Sequence, residues 1–229
     1  MRATSRPDLE IAGIGSAAGG QYHSVKMEGV CKVGDAIDCF AFKSNGLTTV
    51  NGGIMAEEQL EVSGKLSCHG GMVGGNVKLE GQVTVNGPFE ADRAEMNGLV
   101  KVKGDADASD FKVRGALSVE GWLTAGQLEV KLEGPFHAEG IKSRHITVRH
   151  HGKGGLRRLI ESLLPVWQVQ LKARTIEGDI VDVEETTAEL VRGRTVVIGP
   201  GSDIDRVEYV ADLVVHPQAQ VRSRLQIQG

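Results

Sequence analysis

Apolar and polar residues alternate at period two along most of this chain. Val62 and Leu66, Val77, Leu79, Val83 and Val85, Val100 and Val102, and Val113, Leu117 and Val119 keep this rhythm. Period two puts successive side chains on opposite faces of an extended strand, so it predicts strands with one buried face. Each run covers only about four residues, at the short end for a strand, and stops at a glycine. Glycine reaches φ > 0 without a Cβ penalty and so permits a sharp corner.

The glycines recur in phase. Starting at Val25, the chain divides into seven windings that begin at 25, 42, 60, 77, 94, 111 and 128. One glycine column reads Gly29, Gly46, Gly64, Gly81, Gly98, Gly115 and Gly134. The other reads Gly34, Gly52, Gly70, Gly87, Gly104, Gly121 and Gly140. A fixed period of this size is the signature of a repeat architecture. Three short strands and three corners per winding predict one triangular turn of a single-stranded β-helix, stacked on its neighbours at about 4.8 Å. No turn can bury its own inner face, so stability must come from stacking. An antiparallel meander also alternates at period two. Its Asn-Gly hairpin turns have no reason to hold a common phase, and here Asn45-Gly46, Asn51-Gly52, Asn86-Gly87 and Asn97-Gly98 all fall in the two columns.

The rhythm breaks at 146–168. Leu156, Leu159, Ile160, Leu163 and Leu164 show helical spacing, which predicts a short amphipathic helix over 156–164, packed on the solenoid or docking a partner. Alternation resumes at Val169. The expected organisation is an irregular segment at 1–24, where Leu9, Ile11 and Ile14 alternate and an N-terminal strand, a cap or a mobile tail are the readings, then β-helix windings at 25–145, a basic insertion at 146–168 and further windings at 169–229.

Composition agrees with many tight turns and with no deep aromatic pocket. The 229 residues include 31 Gly, 6 Pro, 2 Trp, 2 Tyr and 5 Phe. Lys and Arg number 26 against 30 Asp and Glu, for a net charge of −4, so the chain is not a generally basic nucleic-acid binder. Charge is nevertheless uneven. Lys142, Arg144, Arg149, Lys153, Arg157 and Arg158 form a stretch with no acidic residue between them. Arg144, Arg149, Lys153, Arg157 and Arg158 are the candidate contacts for an anionic polymer or a membrane surface. Three cysteines, Cys31, Cys39 and Cys68, fit a reducing cytoplasm better than a disulfide scaffold. Neither Cys68-His69 nor the His145, His150, His151 group has the spacing of a metal site, and no metal or cofactor is expected. No leader segment and no membrane-length apolar run is read in the sequence.

The windings VKMEGVCKVGDAIDC, VKLEGQVTVNGPFEAD and FKVRGALSVEGWLTAG resemble those of bactofilins, bacterial polymer-forming cytoskeletal proteins. GSAAGGQYHSVKMEGV and RTVVIGPGSDIDRVEYV are similar to segments of the longer Gram-positive members. The resemblance implies a right-handed β-helix that polymerises end to end without nucleotide. It also implies a scaffold for envelope or motility machinery, either in the cytoplasm or peripheral to the inner face of the membrane. The 146–168 insertion departs from the family pattern and leaves a capped, non-polymerising adaptor as an alternative.

Stacked solenoids present unpaired strand edges at their ends, and such edges recruit another chain. Val25 and Met27 at one end, and Leu213, Val215 and Val221 at the other, are the candidate self-association residues. The rival reading is a left-handed hexapeptide acyltransferase. Its support is the single unit Ile198-Gly-Pro-Gly-Ser-Asp-Ile204, with His137, His145 and His216 available as bases. Asp105, Asp107 and Asp110 cluster as corner residues do. No GxxxxGK[ST] phosphate loop and no nucleic-acid module is present, so neither an enzyme nor a nucleic-acid partner is expected.

Overall fold

The computed structural model describes residues 6–150 and 169–228. The described residues form strands and turns only. The strands are β1 (Leu9–Ala17), β2 (Gly20–Val33), β3 (Ile37–Val50), β4 (Ile54–Cys68), β5 (Met72–Val85) and β6 (Phe89–Val102). They continue with β7 (Ala106–Val119), β8 (Trp122–His150), β9 (Leu171–Val183), β10 (Thr186–Ile198), β11 (Asp203–Val215) and β12 (Gln220–Gln226). All twelve pair in parallel, in sequence order. With each strand hydrogen-bonded only to its neighbours in sequence, the molecule is a parallel β-solenoid, as the glycine phase predicts. The helix expected over 156–164, with Leu156, Leu159, Ile160 and Leu163, lies outside the described residues.

Each strand bends within its own length. In β2, Val25 and Met27 are buried, Glu28, Gly29 and Val30 are not, and Cys31 and Val33 are buried again. The break is a corner at Gly29. Three sides with two inward residues each give six inner columns. One runs Ile37, Ile54, Met72, Phe89, Ala106, Leu123, and another runs Val25, Phe42, Leu60, Val77, Ala94, Phe111, Leu128. Every alternating apolar residue named from the sequence is buried. Full burial of such a side chain contributes about 1.5–3 kcal/mol. One polar pair inside these columns, Ser44 and Thr48, is mutually hydrogen-bonded at 2.7 Å. No described buried side-chain nitrogen or oxygen lacks a partner.

The corner glycines are forced. Gly29, Gly46, Gly64, Gly81, Gly98 and Gly115 all have φ between +107° and +119°. A Cβ on Gly81 would sit 2.3 Å from the carbonyl oxygen of Gly64. Only glycine lets the turns stack this closely. The column does not extend to Gly134, because Gly115 pairs with Leu132 and the register then shifts, so that Leu117 meets Phe136. Likewise, Glu139 and not Gly140 donates to the Gly121 carbonyl.

The repeat length changes along the axis. The offset is 17 for Val25↔Phe42 and 18 for Phe42↔Leu60. It falls to 15 for Leu171↔Thr186. The irregular corner also moves. In β2 to β7 it follows the column of Val33, Val50, Cys68, Val85, Val102 and Val119. After β8 it follows Val183 and Ile198 instead. The 29-residue β8 bridges the two phases without interruption.

Candidate functional site: the ends and the basic side of the solenoid

The first turn begins earlier than the glycine columns suggest. β1 pairs with β2 over Leu9↔Val25, Ile11↔Met27 and Gly13↔Gly29. Residues 1–24 are therefore not simply an irregular cap. Val25 and Met27 are fully buried beneath β1 and are not terminal. The residues that occupy the end are Leu9, Ile11, Gly15 and Ala17, with Tyr22 behind them. Among the described residues nothing pairs with the outer edge of β1. Around this end, Ser24 donates through its backbone N–H and its Oγ to Asp8, which holds that carboxyl below its ordinary value. Arg6 bridges Asp38 and Glu57 at 3.2 and 3.1 Å and lies over the Phe40 ring.

At the other end, Leu213, Val215 and Val221 are half-buried. β12 pairs with only the first half of β11, from Asp203↔Gln220 to Tyr209↔Gln226. Leu213 and Val215 therefore lie beyond its cover. Arg222 closes ion pairs with Asp203 and Asp205 at 2.6 and 2.8 Å.

The basic stretch gains acids from the next turn. Lys142 stands in register with Glu177, which stands in register with Arg192, which stands in register with Glu208. Arg149 is hydrogen-bonded to the carboxylate of Asp182 and lies 3.6 Å from Glu184. The Asp182 bond raises the guanidinium above its usual range. In sequence no carboxylate is near; in space the following winding supplies them. Arg144 lines a depression of about 530 Å³ with Arg192, Arg194, Glu177 and Asp179. Lys153, Arg157 and Arg158 lie outside the described residues.

The remaining candidate groups are dispersed among the described residues. No group of three His, Cys, Asp or Glu capable of holding a metal occurs among the described residues. Burial pushes the Cys39 thiol up to about 12 and also raises Cys68. These thiols are core residues rather than nucleophiles. Ile198 and Ile204 of the single hexapeptide-like unit are buried in the core. The neighbouring offsets are 15 to 17 residues, as in Gly193↔Gly178 and Thr195↔Asp212, not three units of six. His137 pairs with Lys172 and His145 with Ile180 along β9, while His216 accepts from the Gln218 N–H. The three do not share one site. No helix among the described residues is long and apolar enough to cross a membrane.

A parallel β-solenoid is thus the class to which this molecule belongs. The chain is similar along 99% of its length to the uncharacterized protein YhbF of Bacillus subtilis (strain 168), with 40% identity over 245 aligned positions that span all of that protein. It belongs to the YhbF family. A second relative, the uncharacterized protein YhbE of the same strain, is 40% identical over 102 residues, 44% of this chain and 41% of that protein. No family model matches the chain. No solved structure matches it.

Proposed function

We propose that this protein is a non-enzymatic scaffold of the bactofilin kind, self-associating through the ends of its solenoid without nucleotide. The observation that carries this reading is the pair of parallel strand edges, one on β1 and one on β12, that no described residue covers. Each edge presents a row of backbone donors and acceptors, and a second solenoid end is the shape that satisfies them. The long side faces support the same role. They carry charged residues in ion pairs from turn to turn, which suits a spacer that displays partners at fixed intervals. The expected setting is the cytoplasm, where such a scaffold organises envelope or motility proteins, with any membrane contact peripheral and electrostatic.

Negative-stain microscopy and light scattering of purified protein, without nucleotide and across a salt series, test the reading. End-to-end species are expected at all salt concentrations, because the contact is backbone and apolar rather than ionic. Monomers under every condition would refute it.

A further inference from the structure

The two ends of the solenoid are not equivalent. β12 is seven residues long and reads QVRSRLQ, with six of its seven positions exposed. Arg224 stands in register with Val207, and Val207 continues the buried column of Val191, Ile176 and Ile141. An arginine therefore stands at the inner-column register position of the last turn, where it remains exposed. Another turn stacked there would bury an unpaired charge, a heavy penalty. Shortness and an inward-placed charge are the devices by which proteins blunt a sheet edge.

β1 carries no such device. Its inner positions are Leu9, Ile11, Gly15 and Ala17, and Ile14, 90% exposed, is the most exposed large hydrophobic residue among the described residues. Val30 and Leu47 continue the Ile14 column onto the next two turns and are also exposed.

We infer that the β1 end alone is the self-association surface, and that its occupant is the β1 end of a second copy, giving a closed two-fold pair of rods. The inference rests on the end-to-end reading above and narrows it. The argument for a second copy lies in the order of residues about the Gly13 corner. A two-fold axis through that corner, perpendicular to the solenoid, lays the Leu9–Ala12 side of one copy antiparallel on the Ile14–Ala17 side of the other. Leu9 then opposes Ala17, and Ile11 opposes Gly15, so each large inner residue meets a small one. Glu10 opposes Ser16, so no like charges face each other across the axis, which would be destabilising. Ala12 opposes Ile14, and Gly13 opposes itself, as an isologous contact requires. The C-terminal ends point outward and stop growth at two.

The test uses the full chain. Light scattering after size exclusion is expected to give twice the 24.4 kDa chain mass. Ile11→Lys is expected to weaken the dimer by roughly tenfold or more, about 1.4 kcal/mol per tenfold, whereas Val221→Lys is expected to leave it intact. Because Ile11→Lys also loosens the first turn, a second variant avoids the core. Glu10→Cys combined with Ser16→Cys places two outward thiols that meet only across the two-fold axis, and mild oxidation is expected to yield a covalent dimer. Filaments, or a dimer lost in Val221→Lys but kept in Ile11→Lys, would overturn the single-ended pair while leaving end-to-end association standing. Monomers at every concentration would overturn both.

Discussion

The rings of Phe89 and Phe111 meet at 5.9 Å between centroids and 59° between planes, across one corner of the core and one turn apart. Their columns alternate in volume. β6 carries Phe89 and Ala94, and β7 carries Ala106 and Phe111 at the matching positions. Each phenylalanine therefore stacks on an alanine of the adjacent turn, and the small Ala91 and Ala108 between them leave room for the tilted contact. Phe111→Ala is expected to cost about 3–5 kcal/mol through the cavity it leaves. Ala94→Phe is expected to cost about 1–3 kcal/mol by overpacking a turn that already holds Phe89. The double variant restores total volume but puts both rings in one turn. Urea denaturation should therefore find it less stable than the parent chain.

Gly81→Ala should be more damaging than its size suggests. The residue has φ +107°, which alone costs an L-residue about 1–3 kcal/mol. The new methyl group would also strike the Gly64 carbonyl, which belongs to the backbone and cannot step aside. Gly34→Ala is the control. Its φ is ordinary and its nearest contact would be 3.3 Å from the Ala18 oxygen. Thermal unfolding followed by circular dichroism is expected to show a large fall in Tm for the first and a small change for the second.

The difference between these two glycines also shows what was legible in sequence. Glycine phase and period-two alternation are local consequences of stacking, so the solenoid could be read directly from residues 25–132. The first turn was harder, because Gly13 keeps the phase but the SAAGG that follows Gly15 looks like a loop. The C-terminal windings shorten to offsets near 15 and move their irregular corner, so a fixed 17-residue frame slides off them. Neutralisation of Arg149 was invisible for a different reason. Its acids, Asp182 and Glu184, lie more than thirty residues away and arrive only through register. The alternation of Leu9, Ile11 and Ile14 allows a strand there, but alternation alone does not place these residues on the end turn. The Gly13 corner was the signal that could have placed them.

Register also organises charge along the outer face. Lys43, Glu61, Lys78, Glu95, Lys112 and Glu129 occupy successive turns of one column, alternating in sign. Lys43 reaches Glu61 at 2.9 Å, and that contact lowers the Glu61 carboxyl below its usual range. Like charges stacked at the inter-turn spacing would repel, so the alternation helps fix the pairing frame. Lys78→Glu would put three carboxylates in consecutive turns. The expected loss is about 0.5–1 kcal/mol at low ionic strength. It should shrink markedly in 1 M salt, where screening acts within about 3 Å. A loss independent of salt would mean that the column contributes packing rather than charge.

Glu208 is the one carboxylate sunk into the wall of the C-terminal windings, and it is held by two arginines. Arg192 donates to it through Nε at 2.8 Å, and Arg206 approaches its other oxygen at 2.5 Å. The Arg192 hydrogen bond is the main reason that its carboxyl titrates below the ordinary value of 4.5. A carboxyl with a lowered native value stabilises the fold fully above the unfolded-state value, and that contribution is lost as pH falls through the native one. The contribution of Glu208 should therefore be constant across neutral pH and lost in acid, below the ordinary value of 4.5. Glu208→Gln keeps the size but forfeits two charge-assisted hydrogen bonds, at a cost of about 2 kcal/mol near pH 7. Because this variant has no carboxyl to protonate at that position, its stability should converge on that of the parent chain as pH falls. Chemical denaturation at pH 7 and at pH 3 measures the difference directly. An equal gap at both values would show that the arginines pack against the glutamate without drawing on its charge.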